Sequence, residues 1–218
     1  MALPDGVKTV ADRLRAARLT KQEDRVRCDV LSRFALGETP RVMTLAEWCR
    51  IPPVQIREIL RRLTAMDLLL LDATGETVLA AYPFSATPTP HRVRLVGREV
   101  FALCAVDALG IPAMLQEEVR ISSHCGHCGA LVEIQARPEC VTRYVPTETL
   151  VWFPTSENQC CPVAESRCPS IGFFCSSDHL EAWRQIKGQP PGVVFSLPEA
   201  FEAGKEIFGS LLAGASPR

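Results

Sequence analysis

The chain has 218 residues, 47% apolar and 22% charged, which excludes intrinsic disorder and leaves room for one large domain or two small ones. Its 24 Lys+Arg against 25 Asp+Glu give a net charge of -1, which argues against general electrostatic capture of nucleic acid or of an anionic membrane. Ten cysteines are the compositional outlier.

Apolar residues recur at helical spacing over residues 7–19 and 23–36, with Gly37 as the stop of the second segment. Thr44 is placed to N-cap a short helix over 45–50, with Glu47 completing a capping box. Pro52-Pro53 then opens a longer helix over 54–66, whose apolar side is Val54, Ile56, Ile59, Leu60 and Leu63. Residues 67–72 and 77–80 flank Ala73-Thr74-Gly75-Glu76 as a hairpin. Short helix, turn, longer helix and β-wing form the pattern of a winged helix-turn-helix over residues 1–80. Arg57, Arg61 and Arg62 on the longer helix would suit phosphates or base edges, but the short basic cluster and near-zero net charge favour a packing or lid module over DNA binding.

Residues 81–218 read as a second, β-rich domain, so the fold class is α+β. Pro83, Pro88 and Pro90 mark an extended linker, and residues 91–95 alternate as a strand. Residues 99–115 read as an apolar helix interrupted near Gly110-Ile111-Pro112. Strands follow over 119–122 and 130–135, paired around a Cys/Gly turn, and over 149–153, 172–175 and 193–196. Helices over 178–185 and 198–212 take Ser177 and Ser196 as caps. No apolar signal core follows Met1, and no stretch approaches the ~18 apolar residues of a membrane span. The expectation is therefore a cytoplasmic chain without membrane contact, whose reduced thiols serve metal binding or catalysis rather than disulfides.

Three segments carry chemistry. In Phe101-Ala102-Leu103-Cys104-Ala105-Val106-Asp107-Ala108-Leu109-Gly110, Cys104 and Asp107 stand three apart on one helix face in otherwise apolar surroundings. Desolvation would raise the pKa of such an aspartate, letting it take a thiol's proton and pass it on. The competing reading is a core cysteine beside an Asp that bonds a neighbouring loop. The second segment, His124-Cys125-Gly126-His127-Cys128-Gly129, is a Cys-x-x-Cys pair with interleaved glycines, a metal knuckle or a redox pair. The third holds Cys160, Cys161, Cys168, Cys175 and His179. A structural zinc site built from Cys125, Cys128 and two of those five is chemically reasonable, although the second half lacks the Cys-x-x-Cys of a zinc ribbon. Free or structural thiols are the alternative.

With these motifs in order, the chain resembles the organomercurial lyase (alkylmercury lyase) family. Val100-Phe101-Ala102-Leu103-Cys104-Ala105-Val106-Asp107 is similar to the family segment holding its first catalytic cysteine and aspartate, and 119–125 to the segment whose cysteine, here Cys125, is structural. Cys168, ahead of Phe173-Phe174-Cys175-Ser176, falls where the second catalytic cysteine is expected. The resemblance implies an N-terminal winged-helix-like segment followed by a catalytic domain that cleaves carbon–mercury bonds by protonolysis. Cys104 and Cys168 would hold the mercury, and Asp107 would carry the proton to carbon. The reaction would need no cofactor, and Hg(II) would stay bound as product until small thiols or a mercuric reductase accepted it.

Pro169 stands where the family often has a cysteine directly after the second catalytic one, and Cys128, Cys160, Cys161 and Cys175 are additions without a family role. They keep open a metal-binding or metal-responsive DNA-binding regulator, or a relative acting on another organometallic. Were Cys168 a zinc ligand, it could not be the second thiolate. Cys28, Cys49 and Cys140 read as bystanders.

Overall fold

The structure, a computed structural model, describes residues 18–155, 168–188 and 191–212. The expected helix over 7–19 lies almost wholly outside them, as do Cys160 and Cys161. Among the described residues the chain begins with α1 (Lys21–Ala35), α2 (Val42–Cys49) and α3 (Pro53–Ala65). Thr20 and Glu23 close a reciprocal capping box at the start of α1, and Gly37, at φ +80°, follows its last turn. The cap expected at Thr44 is not formed. Arg41 is the N-cap of α2, because Arg41 bridges Thr77 and the Val42 N–H reaches the Glu76 carbonyl, which pins the helix start to the hairpin. Ile56, Ile59, Leu60 and Leu63 of α3 are buried as expected, whereas Val54 is 73% exposed. Two of the three arginines of α3 pair with carboxylates, Arg57 with Glu76 and Arg62 with the buried Glu23, and Arg61 is exposed.

The hairpin expected over 67–80 is β1 (Leu69–Leu71) and β2 (Val78–Ala81). The expected linker is instead interrupted by a short strand, β3 (Phe84–Ser85), which pairs with β2 on one side and with Phe101-Ala102 on the other, with Phe84 fully buried. Then come β4 (His91–Leu95) and β5 (Arg98–Ala102), joined by a tight turn in which Gly97 takes φ +71°. The helix expected from residue 99 is therefore corrected. Residues 98–102 pair with β4 across the turn, and α4 (Ala105–Leu115) begins only after Cys104. It then runs through Pro112 without a break, forgoing the one backbone bond that proline cannot donate.

β6 (Val119–His124) and β7 (Leu131–Ala136) pair around the cysteine turn as expected, and β8 (Val141–Val145) extends them. The antiparallel sheet has the order β1-β2-β3-β5-β4-β6-β7-β8, so the N-terminal hairpin and the second half of the chain share one sheet and one continuous core. A smaller sheet, β10-β9-β11, is made of β9 (Leu150–Pro154), β10 (Phe173–Phe174) and β11 (Gly192–Ser196). A single 3-10 turn, Cys168–Ser170, precedes β10. The last helices are α5 (Ser177–Lys187) and α6 (Leu197–Phe208). Ser196 caps α6 as expected, but α5 is capped by Ser176 rather than Ser177, its hydroxyl accepting the His179 N–H at 3.3 Å. The architecture is α+β.

The burial of α4 positions the site. Ten of its eleven residues, all but Leu115, are buried, so this helix has no solvent face. It lies against α6 at a glycine crossing: a Cβ on Gly204 would stand 2.7 Å from the Val106 carbonyl and 2.8 Å from the Gly110 nitrogen. Only glycine permits that approach, and it fixes the first turn of α4 from behind.

Candidate active site

The first turn of α4 and the 3-10 turn meet in the core. Cys104, two residues past β5, has extended backbone and is the N-cap of α4, its sulfur accepting the Asp107 N–H at 3.4 Å. The two side chains are therefore brought together by a cap rather than by a shared face of a helix, which corrects the spacing argument while keeping its outcome. Cys168 arrives from 61 residues further on, and its thiol lies 3.8 Å from Asp107 Oδ2. The Ala105 N–H, bonded to the Ile171 carbonyl at 3.1 Å, ties the two segments together. Each of the three residues is at most 4% exposed, and their donor atoms all lie within 4.8 Å of one another.

Burial governs the electrostatics. It pushes the Asp107 carboxyl up to about 7, against hydrogen bonds from Cys104 and Cys168 that pull it down. It pushes the Cys104 thiol well above its usual range, with the neighbouring Cys168 thiol and Asp107 adding to the rise. For Cys168 the hydrogen bond with Cys104 acts downward, but burial and the charges of Asp107 and Asp67 outweigh it, and the thiol ends raised. At neutral pH the resting site thus holds two thiols and a carboxyl poised near half-protonation. A soft cation that replaces the thiol protons is matched to such a pair of sulfurs, and the adjacent carboxyl can take up and return a proton.

No sequence motif singles out Asp67, which lies in the first arm of the expected hairpin. The structure places it in left-handed backbone, φ 54°, within electrostatic reach of Cys168, and the Tyr82 hydroxyl donates to its Oδ1 at 3.2 Å. No local pattern announces this, because the contact joins the N-terminal hairpin to a turn a hundred residues away.

The remaining candidates form a second cluster. Cys125, Cys128, Cys175 and His179 bring their ligand atoms within 4.8 Å of one another, with Cys128 and Cys175 sulfurs 3.7 Å apart and Cys175 Sγ 2.8 Å from His179 Nδ1. Burial pushes the Cys125 thiol up, but N–H groups of Cys128, Cys175 and His127 aimed at its sulfur prevail and bring it down to about 7. Cys168 belongs to the first cluster and not to this one. Cys49 stands in neither and donates its thiol to Asp29 at 3.0 Å.

The alkylmercury lyase family model matches residues 84–209, a span that contains both clusters. An alkylmercury lyase of Staphylococcus epidermidis is 28% identical over 82% of this chain and 79% of its own. One of Streptomyces lividans is 26% identical over 86% and 84%, and one of Pseudomonas putida 30% identical over 57% of each chain. Among solved structures, the mercury-bound form of MerB2 superposes with a TM-score of 0.81 at 22% identity, covering 96% of this chain and all of that one.

Proposed function

The chain belongs to the alkylmercury lyase family, and on that premise we propose how its buried triad cleaves a carbon–mercury bond. The protein is an organomercurial lyase: it releases a hydrocarbon and Hg(II), the chemistry of mercury resistance. The observation that carries the residue assignment is the convergence of Cys104, Asp107 and Cys168 within 4.8 Å in a buried part of the core.

The proton balance follows from the protonation states. As R–Hg–X enters, one thiol gives its proton to Asp107 and its sulfur displaces X from mercury. The second thiol adds its sulfur to the same metal, and its proton leaves with X. Two sulfurs now donate electron density to mercury and weaken the Hg–C bond, soft donors on a soft metal. Asp107 returns its proton to the carbon, the Hg–C bond breaks, R–H departs, and Hg(II) remains on Cys104 and Cys168. Desolvation serves the last step, since a carboxyl near 7 is a competent acid at neutral pH and burial shields its proton from solvent. No cofactor enters this scheme. Small thiols, or a reductase presenting its own, take the Hg(II) by thiol exchange.

We read the N-terminal helices and hairpin as a winged-helix-like packing module. The ion pairs of Arg57 and Arg62 with Glu76 and Glu23 support that role over DNA contact. Among the described residues no helix is long and apolar enough to cross a membrane, and a cytoplasmic location suits reduced thiols.

The test is incubation of purified protein with methylmercury or phenylmercury and excess small thiol. Methane or benzene should appear in step with Hg(II), and absence of hydrocarbon under those conditions would refute the assignment.

A further inference from the structure

We infer that Cys125, Cys128, Cys175 and His179 form a tetrahedral zinc(II) site, separate from the mercury site, that clamps the Cys168-bearing segment to the β6–β7 turn. Three thiolates and one imidazole are a complete ligand set for structural zinc, leaving no position for substrate. The mercury triad differs in having two sulfurs and a carboxyl, with coordination to spare.

The spacing of the sulfurs fits the metal. Zinc–sulfur bonds of about 2.3 Å in a tetrahedron put neighbouring sulfurs about 3.8 Å apart, and Cys128 and Cys175 stand at 3.7 Å. The His179 ring, now 2.8 Å from the Cys175 sulfur, would swing outward by less than ~1 Å to take its place on the metal. Each half of the site is built locally. In the β6–β7 turn, the Cys125 N–H bonds the Ala130 carbonyl at 2.8 Å and the Gly129 N–H returns to the Cys125 carbonyl at 3.0 Å, with Gly129 at φ +72°. The turn is thereby wound so that its N–H groups face the Cys125 sulfur. On the other side, Cys175 and His179 are four residues apart at the start of α5, where the Ser176 cap fixes the first turn. The halves already touch: the Gly126 N–H bonds the Phe173 carbonyl at 2.9 Å, and Cys125 and Phe173 form an isolated parallel bridge.

The clamp has a structural reason. Cys125, Trp152, Phe174 and Leu180 form a small apolar cluster of their own, apart from the main core. So few side chains stabilise little by burial, and a metal supplies the cross-link that they do not. Since Cys175 lies seven residues beyond Cys168, fixing it limits where the 3-10 turn can carry the second mercury ligand. Ligand preference selects the metal, because thiolate with imidazole in a closed tetrahedral set suits zinc among the divalent ions a cell supplies.

The experiment is elemental analysis of full-length protein grown with zinc and purified without added metal. It is run on wild type, on Cys128→Ser/Cys175→Ser and on Cys104→Ser/Cys168→Ser. The expected result is about one zinc per chain in wild type and in the Cys104/Cys168 variant, and loss of zinc in the Cys128/Cys175 variant. Cobalt(II) added to metal-stripped wild type should give thiolate-to-cobalt absorption that the Cys128/Cys175 variant lacks. Three results would overturn the inference: no zinc and no cobalt absorption in wild type, a Cys128–Cys175 disulfide in its place by mass spectrometry, or zinc that follows Cys104 and Cys168. Hydrocarbon release by zinc-free wild type would leave the lyase assignment standing while removing the zinc site, so the two claims fail separately.

Discussion

The Cys168 thiol points at the Asp107 carboxylate across 3.8 Å, although 61 residues and the whole of β6 to β9 separate them in sequence. Asp107 is thereby a carboxyl beside two sulfurs, Cys104 at the N-cap of its own helix and Cys168 from the 3-10 turn. In the proposed mechanism, mercury held by both sulfurs has this carboxyl at hand as its proton donor.

The buried carboxyl makes stability depend on pH. Its pKa lies near 3.8 when the chain is unfolded and about 7 when folded. A raised carboxyl pKa contributes stability that is fully present below the unfolded value and lost as pH rises through the folded one. The wild type should lose on the order of 4 kcal/mol from this group between about pH 4 and pH 7. Asp107→Asn carries no such loss, so its unfolding free energy relative to wild type should be near zero at pH 4 and clearly higher at pH 8. Denaturant titrations at the two pH values check this. An equal difference at both would show that the carboxyl is not held near 7.

Replacing either sulfur by oxygen should separate binding from chemistry. Cys104→Ser and Cys168→Ser each leave one soft donor beside a hard hydroxyl, a poor pair for mercury. Each variant should lose hydrocarbon release by about a hundredfold or more, equivalent to ~3 kcal/mol of transition-state stabilisation. Each should also shed Hg(II) on gel filtration, where wild type retains it. Retention of Hg(II) by Cys168→Ser at the wild-type level would remove that residue from the metal site.

The glycine crossing behind the site predicts a mutation away from the sulfurs. Gly204→Ala puts a methyl 2.7 Å from the Val106 carbonyl, so α6 or the first turn of α4 must move. Overpacking of this kind costs about 1–3 kcal/mol. Because Val106 adjoins Asp107, the displacement should lower hydrocarbon release as well as the denaturant midpoint. A wild-type midpoint would mean that the crossing is looser than the structure has it.

Much of the site was legible because its residue types are chemically distinctive. Cys104 and Asp107 stand in an otherwise apolar run, and Cys168 follows them in the order of a known family, which places a partner that spacing could not. The local geometry was less legible. Residues 99–102, with Val100, Phe101 and Ala102, read as the start of a helix over 99–115, and only pairing with β4 through the Gly97 turn makes them part of a strand. β3 hid behind Pro83, and β8 went unnoticed because Val141–Val145 exposes residues on both faces and shows no clean alternation. The Cys-x-x-Cys at Cys125 and Cys128 announced half of the second cluster. Its other half, Cys175 and His179, is matched to it only by the contact of β10 with the β6–β7 turn, a tertiary event.

In the mechanism proposed above, Asp107 delivers the proton that breaks the carbon–mercury bond. The direct measurement is single-turnover release of benzene from phenylmercury by wild type and by Asp107→Asn, with mercury binding to each measured alongside. Wild type should release stoichiometric benzene. Asp107→Asn should hold bound but intact phenylmercury, with a release rate lower by about 10²–10⁴-fold, the range for loss of a positioned general acid. Benzene release by Asp107→Asn at the wild-type rate, with mercury bound equally in both, would contradict that mechanism.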